Sequence, residues 1–280
     1  MTDSPSADRG WFAGLGSDDA VQSVRDGTAP QPKNWPKLAI EDGFAPNETG
    51  YYARLREATI AAARAEVEEA ESADDRQLIH AVRAMDDCER TANELAERVA
   101  DWAPTVFDED GAGLSYARTV SEIGPETPAE ERVVSLAERA IGLDDERREL
   151  RAFVERRTRS VAPNLAALAG PILAARLIAL AGGLKPLARK PSGTVQVLGA
   201  EDALFAHLRG HAPSPKHGLI YTHEAVRTAP AGHRGSAARA LAGKLSIAAR
   251  IDHYAGDRRP ELDEELADRM AQIHAREAER

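Results

Sequence analysis

Six of the eight histidines fall between residues 207 and 253, and His207 and His211 stand four apart, a spacing that sets two imidazoles on one helical face as a metal site would need. Gly210 and Pro213 end any helix carrying that pair, and no cysteine and few carboxylates stand nearby to complete a tetrahedral shell. Polar positions at loops and caps account better for these histidines, and neither metal nor cofactor is expected. The stretch GHRGSAARALAGK (232–244) has the glycines of a phosphate loop but not the Gly-x-x-x-x-Gly-Lys-Ser/Thr spacing or a preceding strand. No Gly-x-Ser-x-Gly elbow occurs, and no carboxylate pair stands out as general acid and base. An enzyme reading therefore has little to stand on.

What this part of the chain does hold is charge of one sign. Between Pro163 and Arg259 there are thirteen Lys and Arg against five Asp and Glu, a balance of plus eight inside a chain of net charge −10. A basic patch on an otherwise acidic protein is an electrostatic footprint for nucleic acid, because phosphate contacts supply most sequence-independent affinity. Lys216, Arg234, Arg239, Lys244 and Arg250 fall in two segments joined by a turn-rich loop, with Arg234 at an expected helix start whose free N–H groups also favour phosphate. Arg239 and Arg250 are eleven residues apart, about three turns, and so share a face. A solvated or core-capping role explains any one of these cations equally well. With aromatics at 5%, recognition of folded RNA by shape and backbone fits better than base stacking along a single strand.

The elements that must position these groups read as helices. Few aromatics and many Ala and Leu predict a mainly α fold with close helix packing. Residues 1 to about 34, rich in Ser, Asp, Gly and Pro, read as a small or partly disordered head. Helix follows from Lys37, with Tyr52, Leu55, Ile60 and Val67 as its apolar residues, and the spacing from Ser72 to Asp75 suits a new helix start. From Leu78 to Trp102 the apolar residues form heptads: Leu78, Met85, Ala92 and Val99 at one seam position, Ala81, Cys88, Leu95 and Trp102 at the other. After a loop, Thr127, Pro128 and Glu130 form a capping box for a second helix with a seam through Val133, Leu136, Ala140, Leu143, Leu150, Val154 and Val161. The simplest product is an antiparallel coiled-coil hairpin; ordinary two-helix packing within a bundle is the alternative. Past Val161 the acidic residues nearly vanish, marking a domain boundary. A helix over 164–181 bent at Gly170-Pro171, a short β-branched stretch GTVQVLG, a helix ended by Gly210 and a longer one through Ile251 follow. The last segment carries Leu262, Leu266, Met270 and Ile273 on one stripe, helical if ordered and otherwise a frayed tail.

Cys88 is the only cysteine, which excludes an intrachain disulfide and points to the cytoplasm. No apolar run reaches the ~18 residues of a spanning helix, and the polar start lacks the order of a signal peptide. Six Lys against thirty Arg on an acidic chain suits solubility in concentrated salt, although a GC-rich genome gives much of the same bias.

The blocks VAPNLAALAGPILAARLIALAGGL, LARKPSGTVQVLGAEDALFAHLRG, PKHGLIYTH and RGSAARALAGKLSIAARID, in this order and spacing, resemble the Nop-domain proteins of box C/D small ribonucleoproteins, especially the archaeal fibrillarin-partner member. QLIHAVRAMDDCERTANELAERVADWAPTVF is similar to the family's first coiled-coil helix, so the likeness runs from about Lys37 to Tyr254. The resemblance implies a scaffold: a shortened head (1–46), a coiled-coil domain (47–161), a C-terminal α-helical Nop domain (162–257) and a charged tail (258–280). It implies binding to a kink-turn guide RNA already held by a small ribosomal-type protein, self-association through the coiled coil, and a partnership with the methyltransferase fibrillarin, which uses S-adenosylmethionine on ribose 2′-hydroxyls. Carried over by motif, Gln196, Glu201, Lys216, His217, Arg234, Arg239 and Lys244 lie at or near the RNA–protein contact. Two features depart from the pattern. Asp202 stands where the family usually has Lys and would repel a nearby phosphate unless salt screens it. The head is much shorter than the family's methyltransferase-binding domain, so fibrillarin docking is the implied property it supports least. A Nop-domain protein that recruits no methyltransferase, and a structural dimerisation protein that never touches RNA, remain as alternatives.

Overall fold

The computed structural model describes residues 10–12, 20–26, 31, 33–72 and 74–278, and every regular element among them is helical. The chain divides into two compact units, Met1–Ala73 and Asp74–Arg280. The first holds α1 (Ala20–Asp26), α2 (Trp35–Glu41) and α3 (Glu48–Ser72). Its core is aromatic: Phe12 and Tyr51 are buried, Trp11 meets Phe44 edge-on at 5.2 Å, and Trp11 Nε1 donates to the Tyr51 hydroxyl at 3.3 Å. That cluster captures Tyr51 and turns Ala58 and Ala62 inward, so Tyr52, Ile60 and Val67, expected as the apolar residues of α3, are exposed. The expected disorder of the head concerns mainly residues 1–9, 13–19, 27–30 and 32, which lie outside the described residues, as does Ala73 at the expected helix break.

In the second unit α4 (Asp74–Trp102) and α6 (Pro128–Val161) form the antiparallel hairpin. Leu78 and Ile79 share one apolar cluster with Val154, while Ala96 and Val99 share another with Val133 and Ala137. The start of α6 is a capping box: the Glu130 N–H donates to Thr127 Oγ1 and the Thr127 N–H donates to Glu130 Oε2, each at 3.3 Å. A further N–H bond from Glu126 at 2.7 Å leads the interactions that hold the Glu130 carboxyl below its ordinary pKa.

The heptad reading holds at Leu78, Met85, Ala92 and Val99, all buried, but weakens at the other seam position, where Cys88 and Leu95 are half-buried and Trp102 is 38% exposed. A helix within the expected loop explains the difference. α5 (Gly113–Ser121) inserts Tyr116, Ala117 and Val120 between the two long helices and rotates the buried face toward Ala96 and Ala103. On α6 the expected Leu143 is half-buried and its neighbour Asp144 is inside, its side chain 3% exposed and paired with Arg147 at 2.8 Å and with Arg148. An α-helix drifts relative to a strict seven-residue repeat, so a third helix can move the seam by one residue.

The open end of the hairpin and the following helices share a single core. α7 (Pro163–Ala169) and α8 (Pro171–Ala181) are two helices set at 118° rather than one bent helix, because Gly170 adopts φ 76° and Pro171 cannot continue the hydrogen-bond ladder. Then come α9 (Leu184–Arg189), α10 (Ser192–Val197), α11 (Glu201–Leu208) and α12 (Glu224–Arg227). α13 (Arg234–Tyr254) runs through the middle, burying Ala237, Ala238, Leu241, Ala242, Leu245, Ala248 and Ala249, small side chains that let helices approach from several sides. Residues 193–197 of the β-branched stretch GTVQVLG are helical and place Val195 in this core. α14 (Glu261–Ala278) is packed rather than frayed, with Leu262, Leu266, Met270 and Ile273 all buried.

One polar knot ties the ends of this core together. The Asp252 carboxylate on α13 accepts the Asn164 N–H at 3.0 Å, the Leu165 N–H at 2.9 Å and Asn164 Nδ2 at 2.6 Å, capping α7 from 87 residues away. Asn164 in turn donates to Asp257 O at 2.8 Å and accepts the Arg259 N–H at 2.7 Å, which fixes the turn into α14. Burial pushes the Asp252 carboxyl above its ordinary range, against these donors and Arg258, which pull it down. No single helix among the described residues is long and apolar enough to cross a membrane.

Candidate nucleic-acid interface

The cationic loop is built on the end of α10. The Gly218 N–H donates to Gln196 O and the Leu219 N–H to Leu198 O, both at 2.8 Å, and Gln196 Nε2 donates to Lys216 O at 2.7 Å. Gly218 is required there, since a Cβ would stand 2.1 Å from Leu198 O. The three bonds pin the Lys216 main chain while its side chain is exposed to solvent. Next to it, His217 stacks on Tyr221 with ring centres 4.4 Å apart and planes at 18°. The Arg234 guanidinium lies 5.8 Å from the centre of the same Tyr221 ring and is anchored by an Nε donation to Ala229 O at 3.2 Å. Glu201 accepts the Gly199 N–H at 2.8 Å, a local cap that holds the chain where it turns into α11, and Asp202 beside it is exposed.

Gln196, Glu201, Lys216, His217 and Arg234 thus come together around one loop. Arg239 and Lys244 do not join them. They line a groove between α13 and α14 with Ala240, Gly243, Glu265 and Asp268, and the Lys244 ammonium is paired with Glu265. The reason is rotational: five residues advance a helix by about 140°, so Arg239 and Lys244 are both turned away from Arg234 and flank the α14 groove from its two sides. Arg250 donates through Nε to Ala188 O at 3.2 Å and ties α13 to α9. Among the described residues, Lys216, Arg234 and Arg239 have no carboxylate partner. His207 is hydrogen-bonded through Nδ1 to Ala212 O at 2.9 Å, and among the described residues no three His, Cys, Asp or Glu side chains gather as a metal site.

Two residues escaped the sequence reading. Tyr221 joins the two cationic segments, and its signal was its place in GLIYTH, one helical turn after His217. His223 Nε2 lies 3.0 Å from Leu168 O and its Nδ1 accepts the Ala225 N–H at 3.2 Å, so the neutral ring with its proton on Nε2 caps α12 and fastens it to α7. Burial holds its pKa below that of a free imidazole.

Among the described residues, a hairpin of long helices bears an all-α domain whose preshaped cationic loop has the charge and geometry to meet a phosphate backbone. A family model described as Nop, snoRNA binding domain, fibrillarin, matches residues 116–274, and the chain belongs to this family. It is 36% identical over 236 residues to an uncharacterized NOP5 family protein of Methanocaldococcus jannaschii, covering 71% of this chain and 57% of that protein. It is 33% identical over 215 residues to nucleolar protein 58 of Schizosaccharomyces pombe, covering 64% and 42%. The chain therefore spans about half the length of the curated relatives it matches. Among solved structures, a chain of the crystal structure of a fibrillarin/Nop5p complex matches with a TM-score of 0.54 and 26% identity, over 95% of this chain and 98% of that one.

Proposed function

We propose that this chain is an RNA-binding scaffold of a box C/D ribonucleoprotein: it recognises a kink-turn RNA already bound by its primary ribosomal-type protein and supports guide-directed ribose 2′-O-methylation of rRNA or tRNA by fibrillarin. The observation that carries the reading is that the family match over 116–274 contains the one loop where Gln196, Lys216, His217 and Arg234 are held in fixed register. In this reading Lys216 and Arg234 meet backbone phosphates, His217 and Tyr221 offer a flat polar face, and Gln196 and Glu201 brace the loop. Arg239 and Lys244 contribute from the neighbouring groove. Rigid positioning matters because a scaffold must bind the joint surface of RNA and protein without first ordering a flexible loop. Asp202 weakens the phosphate contact at low salt, and screening with a Debye length of about 3 Å at 1 M salt removes that penalty.

The chain itself is a binder and not a catalyst; the methyl transfer belongs to fibrillarin. Support for that partner comes from the likeness to the chain of the fibrillarin/Nop5p complex. Self-association runs through the α4–α6 hairpin, and the proposed compartment is the cytoplasm. Gel shifts on a kink-turn RNA, with and without its primary binding protein, test the RNA reading: a shift only in the protein's presence is expected, and none in either case overturns it. Pull-down with purified fibrillarin tests the partner, and no complex with or without RNA would leave a Nop-domain binder that recruits no methyltransferase.

A further inference from the structure

The groove between α13 and α14 brings together groups that compete for one another. Arg239 and Lys244 come from α13 and Arg269 from α14, facing Glu265 and Asp268 across a floor of Ala240, Gly243 and Ile247. The Lys244 side chain is only 22% exposed, its stem packed in the groove, and its ammonium meets the Glu265 carboxylate, which is itself 57% exposed. The apolar stripe Leu262, Leu266, Met270 and Ile273 fixes α14 in this register, and the Arg258–Asp263 pair with the Asn164 knot fixes its start. The most acidic turns of α14, Glu261 to Asp268, are thereby laid along a helix of the cationic region.

We propose that α14 is a built-in competitor for RNA phosphate: Glu265 occupies the place a phosphodiester oxygen takes on Lys244, so the α13–α14 groove is a second phosphate-binding site whose affinity is set by displacement of this carboxylate. The proposal rests on the RNA-binding reading above. An anionic oxygen suits two cations on α13 and one on α14, and the exposed carboxylates can swing outward into water. Binding there exchanges one ion pair for another, so it releases fewer counterions than a free cation would and is less sensitive to salt.

The test compares wild type, Glu265→Gln, Glu264→Gln and the double variant Lys244→Met with Glu265→Gln, each as the full chain on the kink-turn RNA with its primary protein. Glu264 carries the same charge on the same helix outside the groove. Glu265→Gln is expected to tighten binding about three- to tenfold near 0.15 M salt and to steepen the dependence of log affinity on log salt by roughly one. Glu264→Gln should leave both nearly unchanged, and Lys244→Met should abolish the gain. Thermal melting checks that each variant keeps the fold. An unchanged affinity and slope in Glu265→Gln, or an equal gain in Glu264→Gln, overturns the competitor while leaving the RNA reading intact. Absence of any shift in wild type and Glu265→Gln alike overturns the RNA reading and the competitor with it.

Discussion

Replacing Gly218 by alanine puts the loop geometry under direct strain. The new Cβ would lie 2.1 Å from Leu198 O and 2.7 Å from both the carbonyl carbon and oxygen of Val197. All three are main-chain atoms of the α10 terminus, so no side-chain rotation relieves the clash. An ordinary carbon–oxygen contact requires the two segments to part by about 1 Å. The flanking bonds, Gly218 N–H to Gln196 O and Leu219 N–H to Leu198 O, are each 2.8 Å long and do not survive that opening. Two lost bonds at about 1 kcal/mol each, with half-buried donors left unpaired, give a destabilisation of ~2–4 kcal/mol. Lys216 and His217 then lose their register, so RNA affinity should fall at least about tenfold, while helical content by far-UV circular dichroism stays close to wild type because the loop contains little helix. Urea denaturation of the full chain gives the first quantity and gel shift the second. Gly142→Ala is the matched control: it lies in α6 with nothing within 4 Å of an added Cβ, and it should stabilise by about 0.5–1 kcal/mol. A Gly218→Ala protein with wild-type urea midpoint and wild-type affinity would refute the reasoning that this neck shapes the site.

Thr127→Ala removes the cap of α6 and should cost about 1 kcal/mol in thermal unfolding, with RNA affinity unaltered because the change is far along the hairpin. Asp252→Asn replaces a carboxylate that accepts two N–H groups and one amide by a side chain with only one acceptor atom. A loss of ~1–3 kcal/mol in urea is expected, along with weakened protection of the α7 amides in hydrogen exchange. For His223, whose folded pKa is depressed by burial, the unfolded chain takes up a proton at about pH 6.5 while the folded one does not. Its contribution is therefore complete above that pH and is lost as pH falls toward the folded value. The urea midpoint of wild type should drop between pH 7.5 and 5.5 by more than that of His223→Gln, and equal drops would exclude the role.

Much of the architecture was legible along the chain because it rests on local rules. The Thr127–Glu130 box, the Leu78–Val99 seam, the glycine ends of α8 and α11 and the stripe of α14 each depend on residues within a few turns of one another, and backbone geometry satisfies them without reference to the rest. The loop residues Gln196, Lys216 and His217 were likewise marked by motif. What only the tertiary structure decided is direction. The face of α3 depends on which tyrosine the Trp11–Phe12–Phe44 cluster captures, and the seam of the hairpin on α5, a helix inside an expected loop. Whether a cation on α13 faces the loop or the α14 groove depends on its angle around the axis and on what packs beside it. Periodicity states how often a helix turns toward its neighbours; which neighbour stands there is a fact of packing between segments far apart in the chain, and so Lys244 came to face Glu265.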